Sequence, residues 1–277
     1  MSAPARPRRL LLDLGHAAEG RDGIEAAAFV ARLLELDLLG VFVEDEALLT
    51  LAGLPFAREL RMPSHAWTAM ESAQMATDLG KAAARLRRLL QEQSARLGIA
   101  AGFEVRRGDP ATCVAAMRGD ADMLGLVAPG SAAGRSFGAF PRAWQAARRS
   151  QAPVLLLPPG AGPRRGPVAA VGAAAGSAQL DLALRLAAAT QEALVLLTPP
   201  GEEGAEEAAA QRARAAGLGE VRLEVRPLRA ASAAGIAERL GPAEEGLLLL
   251  ARDIAAALEG DGAPRLAAQR RVPVLVE

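Results

Sequence analysis

The residues able to do chemistry in this chain gather where apolar runs end. Asp13 closes the run RLLLDL and is followed by Gly15 and His16, while Glu44-Asp45-Glu46 follows LGVFV. After ADMLGLVAPG comes a loop that carries Gly130, Ser131, Gly134, Arg135, Ser136 and Gly138. Glycines in such a loop let backbone N–H groups approach an anion. A serine hydroxyl can cap the next helix while touching a phosphate oxygen. Arg135 beside Ser136 supplies a cation for the same anion. Phosphate or nucleotide binding is the chemistry these residues offer.

Other chemistries find less support. His16 and His65 are the two histidines, and neither has Cys or carboxylate partners at metal-ligand spacing, so both read as loop residues. Ser131 lacks the Gly-x-Ser-x-Gly of a nucleophile elbow. Glu44-Asp45-Glu46 reads as a solvated acidic turn. The single Cys113 excludes an intrachain disulfide and reads as a packing residue in a helix. Neither a Walker loop nor a dinucleotide glycine fingerprint is present.

The elements that position the loop follow from periodicity. Met123–Ala128 and Val154–Leu157 are continuous apolar runs bounded by Gly and Pro, as expected of strands buried on both faces of a parallel sheet. The Gly-rich loop and one short helix between them complete a βαβ unit, so the loop lies at the carboxyl edge of the sheet. Upstream, Arg8–Leu14, Leu38–Val43 and Ala100–Arg106 read as strands. A helix reaches from Asp22 to about Leu36, and a long amphipathic one spans Ser72–Leu97. Gly108-Asp109-Pro110 is a helix start, with Asp as N-cap and Pro at the first helical position. Ala47–Met70, broken by Gly53, Pro55 and Pro63, reads as an excursion of short helical turns lying against the domain, with a protein-partner surface as its functional alternative.

The same grammar then repeats. PVAAV at 167–171 echoes RLLLDL, GLLLLA at 246–251 echoes ADMLGLVA, and VPVLVE at 272–277 echoes APVLLLP at 152–158. The Pro/Gly-dense PPGAGPRRGP marks a linker. The expected organisation is a first α/β domain at 1–158, a linker at 159–166 and a second, shorter domain at 167–277.

Composition agrees with two packed cores, at 51% hydrophobic residues. Lys+Arg and Asp+Glu both number 32, so no global field recruits nucleic acid or anionic lipid. No run approaches the ~18 apolar residues of a membrane span. Asp13 interrupts the basic–apolar amino terminus that mimics an export signal, so a cytoplasmic protein is expected.

RLLLDLG, LGVFVED, the pair RGDPATCVAAM and ADMLGLVAPG, and APVLLLP together resemble the universal stress protein family in its tandem form. The resemblance implies two doubly wound, five-stranded parallel-sheet domains of the adenine nucleotide alpha hydrolase-like type, packed as an internal pseudo-dimer. It also implies, where a member binds ATP with Mg, a site made from an Asp closing the first strand and a Gly-x-x-Gly-x9-Gly-Ser/Thr signature. Carried onto this sequence, the site residues are Asp13, Gly15, Val43, Gly130, Ser131, Gly134, Arg135, Ser136 and Gly138. The pattern is altered: aligning on Gly15 puts Leu14 at the Asp position, Gly134 is one residue late, and the closing Gly-Ser falls on Phe140-Pro141. In the second domain Val171 or Gly172 stands where the Asp belongs. The reading is a non-enzymatic stress-response regulatory or binding protein with a degenerate nucleotide site. An ATP-binding switch using the first domain is the alternative, and an electron-transfer-flavoprotein-like subunit is less favoured. A homodimer is a further expectation.

Overall fold

The computed structural model describes residues 9–15, 21–61, 65–116, 123–129, 131–136, 138–174, 177–198, 204–218, 221–242, 245–258 and 261–277. His16 and Gly130 therefore lie outside the described residues. The first half begins with β1 (Arg9–Asp13), α1 (Arg21–Leu33) and β2 (Asp37–Asp45). Next come α2 (Glu46–Ala52), the strands β3 (Arg58–Arg61) and β4 (Ala66–Ala69), and the long α3 (Ser72–Leu97). It closes with β5 (Ala101–Gly108), α4 (Pro110–Ala116), β6 (Met123–Val127), α5 (Ala132–Ser136), α6 (Ala139–Arg148) and β7 (Val154–Leu157). The second half opens with β8 (Val168–Val171), α7 (Ala178–Thr190), β9 (Leu194–Thr198), α8 (Ala205–Ala215) and β10 (Leu223–Pro227). It ends with α9 (Ala233–Leu240), β11 (Leu247–Leu250), α10 (Arg252–Ala257), α11 (Gly262–Arg270) and β12 (Val274–Val276).

Ten strands form one sheet, in the order β10-β9-β8-β11-β12-β7-β6-β1-β2-β5. Counted from its own first strand, each half has the order 3-2-1-4-5, with all pairs parallel inside the half. This is a doubly wound α/β arrangement, made twice. The fifth strands then pair antiparallel, Leu155 opposite Leu275, and fuse the two half-sheets. All six paired residues at this seam are buried, so the halves share one hydrophobic interior.

Alternation along the strands divides that interior between the two faces of the sheet. On one face a single cluster joins Leu10 and Leu12 of β1, Ile24 and Ala27 of α1, Leu86 and Leu90 of α3, and Leu180 and Leu184 of α7. On the other, a second cluster joins Leu11, Leu124 and Leu126 with Phe140 and Trp144 of α6, Ile236 of α9 and Leu266 of α11. Leu275 belongs to the first cluster and its neighbours Val274 and Val276 to the second, so both cores run through the seam. Continuous burial on both faces is why these strands are unbroken Leu/Val runs.

Polar groups fasten the joint. Arg252 of α10 crosses to the first half and donates to the carbonyls of Ser150 (2.6 Å) and Ala152 (3.1 Å). From the linker, Arg164 donates to the carbonyls of Glu245 (2.8 Å) and Arg270 (3.0 Å). Beneath it, Glu245 and Arg270 form a bidentate pair at 2.7 and 2.6 Å, with the Glu245 side chain almost fully buried.

Three local expectations change. Asp22 is inside the first turn of α1 rather than its N-cap, and α1 ends at Leu33 rather than near Leu36. The 47–70 excursion contains one helix and an antiparallel hairpin instead of helical turns alone. Between β6 and β7 lie two helices, because Gly138 at φ +89° breaks the path before α6. By contrast Asp109 caps α4 as its spacing predicts, accepting from the Thr112 N–H at 2.9 Å.

Removing one member of a buried ion pair strands the other charge, typically at about 3–5 kcal/mol. Glu245→Ala should therefore lower unfolding free energy by about that amount in urea titration. The same change at exposed Glu104, paired to Arg106, should stay within about 0.5 kcal/mol.

Candidate functional site

The helices that follow the two central strands of the first half leave to opposite faces of the sheet, α1 after β1 and α6 after β6. A crevice opens at the carboxyl ends of two such strands, and ligands of open α/β sheets bind there. Register places Asp13 at this point: it is the last residue of β1, opposite Leu126 of β6 and Val41 of β2. Asp13 is buried, and its Oδ1 accepts the Gly15 N–H at 2.9 Å, which shapes the turn out of the strand. The Leu14 N–H continues the ladder to the Val41 carbonyl, and the Leu14 side chain is fully buried in the core. Asp13, not Leu14, is thus the polar group at the crevice. Val43 lies two residues beyond Val41 on β2, just past the end of β1. The structure brings Asp13, Gly15 and Val43 to one strand edge, next to the loop that leaves β6.

The loop itself is bound up in its own hydrogen bonds. Ser131 accepts the Gly134 N–H on its hydroxyl at 3.0 Å, forming the start of α5. The Gly134 backbone packs so tightly on Pro129 that an added Cβ would lie 2.7 Å from the proline Cβ. Arg135 folds back, its Nη1 donating to the Pro129 carbonyl at 3.2 Å. Ser136 is exposed at the end of α5. Gly138 precedes α6 with no side-chain cap on that helix. Phe140 is buried in the same cluster as Ala143, Trp144 and Leu126. Pro141 occupies the first turn of α6, where its missing N–H deletes one donor that a helix amino terminus otherwise offers.

The remaining chemical candidates have structural duties. Glu44 pairs with Arg107 at 2.9 Å, and Asp45 accepts the Ala47 N–H at 2.9 Å as the N-cap of α2. Cys113 is half-buried rather than fully packed, and its thiol pKa is pushed up by burial and by the charges of Asp109 and Asp13, against Arg106. A raised pKa disfavours the thiolate that a nucleophile needs. His65 is exposed in a turn, with φ +51°. No group of three or more His, Cys, Asp or Glu side chains converges on a metal position among the described residues.

The equivalent crevice of the second half is closed. The Gly172 N–H bonds to the Leu197 carbonyl as that of Leu14 does to Val41, so Val171 is the counterpart of Asp13. Val171 is fully buried and apolar. Gly172 has φ +73°, and a Cβ there would meet Ile254 Cγ1 at 2.6 Å and Ala251 Cβ at 3.2 Å. Ile254 of α10 therefore fills the space at the end of β8. The sequence pattern left Val171 and Gly172 as alternatives; strand register separates them. Ile254 was legible only as an apolar residue following a strand.

No family model and no curated protein matches the chain. Among solved structures, a universal stress protein from Archaeoglobus fulgidus superposes with a TM-score of 0.65. That match covers 98% of this chain and 96% of the other, at 12% identity. The chain has the universal stress protein fold. A putative universal stress protein from Pseudomonas aeruginosa superposes at 0.51, with 17% identity over 97% of this chain and 92% of its own. The cytoplasmic domain of a prokaryotic cation chloride cotransporter does so at 0.50, with 14% identity over 98% and 95%. Each match spans both halves of this chain. No helix among the described residues is long and apolar enough to cross a membrane.

Truncating Ile254 should reopen the second crevice at a cost. Ile254→Ala should lose about 2 kcal/mol, the low end for such a truncation because the side chain touches the surface. Ile254→Val should lose about 1 kcal/mol, both read from denaturant midpoints at unchanged slope.

Proposed function

We propose that this chain is a cytoplasmic, non-catalytic regulatory binding protein of the universal stress type, with units at 1–158 and 167–277 joined by 159–166. Its first unit keeps the nucleoside side of an adenine-nucleotide site. The second unit keeps the scaffold alone. The observation that carries this reading is the contrast between the two strand ends, Asp13 with Gly15 in one half and Val171 with Ile254 in the other. A buried carboxylate at a strand end is an acceptor suited to a ribose hydroxyl or a purine amine.

The phosphate side is weak. Arg135 is engaged within the loop, and Pro141 has no N–H to give. The loop also argues against turnover, since the one hydroxyl at its head is a helix cap without a basic partner. A similar fold occurs as the cytoplasmic domain of a prokaryotic cation chloride cotransporter, and that use supports a regulatory reading.

The expected ligand preference follows. AMP and ATP-Mg at saturating millimolar concentration should each raise the thermal midpoint by about 2–4 °C, equal within error. Asp13→Ala should abolish both shifts relative to its own ligand-free midpoint. A much larger shift with ATP-Mg would instead make the phosphate loop the main contact and favour a nucleotide switch. No shift with either ligand would remove nucleotide binding from the account.

A further inference from the structure

The β3–β4 hairpin is inside out. Direct cross-strand partners share a face, so Leu60 with Trp67 lies on one side and Glu59 with Thr68 on the other. Hairpins on a globular domain turn their apolar side inward. Here Leu60 and Trp67 are 44% and 64% exposed, while Glu59 and Thr68 look into a polar cleft of about 360 Å³ shared with Gln74 and Asp78 of α3. Just before β3, Phe56 is 75% exposed, and Leu48, Leu51 and Leu54 are also exposed. Six of the large exposed hydrophobic side chains among the described residues therefore fall within one short excursion.

We infer that the outward face of this hairpin, with Phe56, is a dimerisation surface that packs against the same surface of a second copy. The exposed parts of Phe56, Leu60 and Trp67 come to roughly 450 Å², about the apolar share of the ~800 Å² that each partner gives to a standard interface. The charges suit a two-fold arrangement. Arg58 lies on the Leu60 side of the hairpin and Glu71 is exposed at its edge, and neither side chain has an ion-pair partner among the described residues. In an isologous contact each Arg58 can meet the other copy's Glu71. The chain carries equal numbers of basic and acidic residues, so two copies approach without net repulsion. The acidic run Glu44-Asp45-Glu46 leads directly into α2 and opposes docking on an anionic bilayer. The edge strand β5 is a poorer partner surface, since Glu104, Arg106 and Arg107 line it.

The test is sedimentation equilibrium of the full chain between about 1 and 100 μM. A monomer–dimer equilibrium is expected. Trp67→Asp with Phe56→Asp should leave only monomer, and Arg58→Glu should weaken association about tenfold. The double swap Arg58→Glu with Glu71→Arg should restore it, which a folding defect would not do. Monomer at every concentration, or a dimer indifferent to these changes, overturns the proposal. So does binding to phosphatidylserine vesicles by a monomeric wild type that Trp67→Asp removes.

Discussion

The antiparallel pairing of β7 with β12 is the constraint on which the rest depends. Each strand would otherwise be the bare edge of a parallel sheet, with every residue apolar and no charge to discourage aggregation. Pairing them removes both edges at once and lets each hydrophobic cluster extend across the joint. Because the strands run in opposite directions, the carboxyl edges of the half-sheets face opposite ways. The two crevices are therefore far apart in architecture though equivalent in topology. Arg252 adds directional contacts to a joint made mainly by burial.

With geometry duplicated, the chemistry was free to diverge. The crevice is a consequence of strand order, which both halves retain. What fills it depends on one strand-end residue and on the loop after the fourth strand. An aspartate closes the strand in the first half, and the facing loop turns its large apolar residue, Phe140, into the core. In the second half, valine and the absence of a glycine side chain let Ile254 settle over the strand end. The fold is common to both halves, and the difference between their strand ends lies in side chains, Asp13 in one and Val171 with Ile254 in the other.

Much of this was legible in the residues. The doubly buried strands were plain because parallel strands under helices must be apolar throughout, and their order repeated. The Asp109-Pro110 helix start was likewise a local signal, independent of packing. The division between α5 and α6 was less accessible, although Pro141 after Gly138 marks a helix beginning. The hairpin at 58–69 escaped because its alternation is reversed with respect to the domain, so the usual inference from apolar face to core misleads. Whether Asp13 or Leu14 is at the crevice, and Val171 or Gly172, needed strand register, since a shift of one residue moves a side chain to the opposite face. That the loop's Ser131 and Arg135 are engaged internally is a matter of side-chain geometry, which spacing does not encode.

Amide chemical-shift mapping during titration with AMP would test the central claim most directly, because it reports each crevice separately in the intact chain. The account predicts saturable shifts for Asp13, Gly15 and Val43, with Val171, Gly172 and Ile254 unmoved. Shifts at the Val171–Ile254 end, or equal shifts at both, would contradict the functional asymmetry of the two halves.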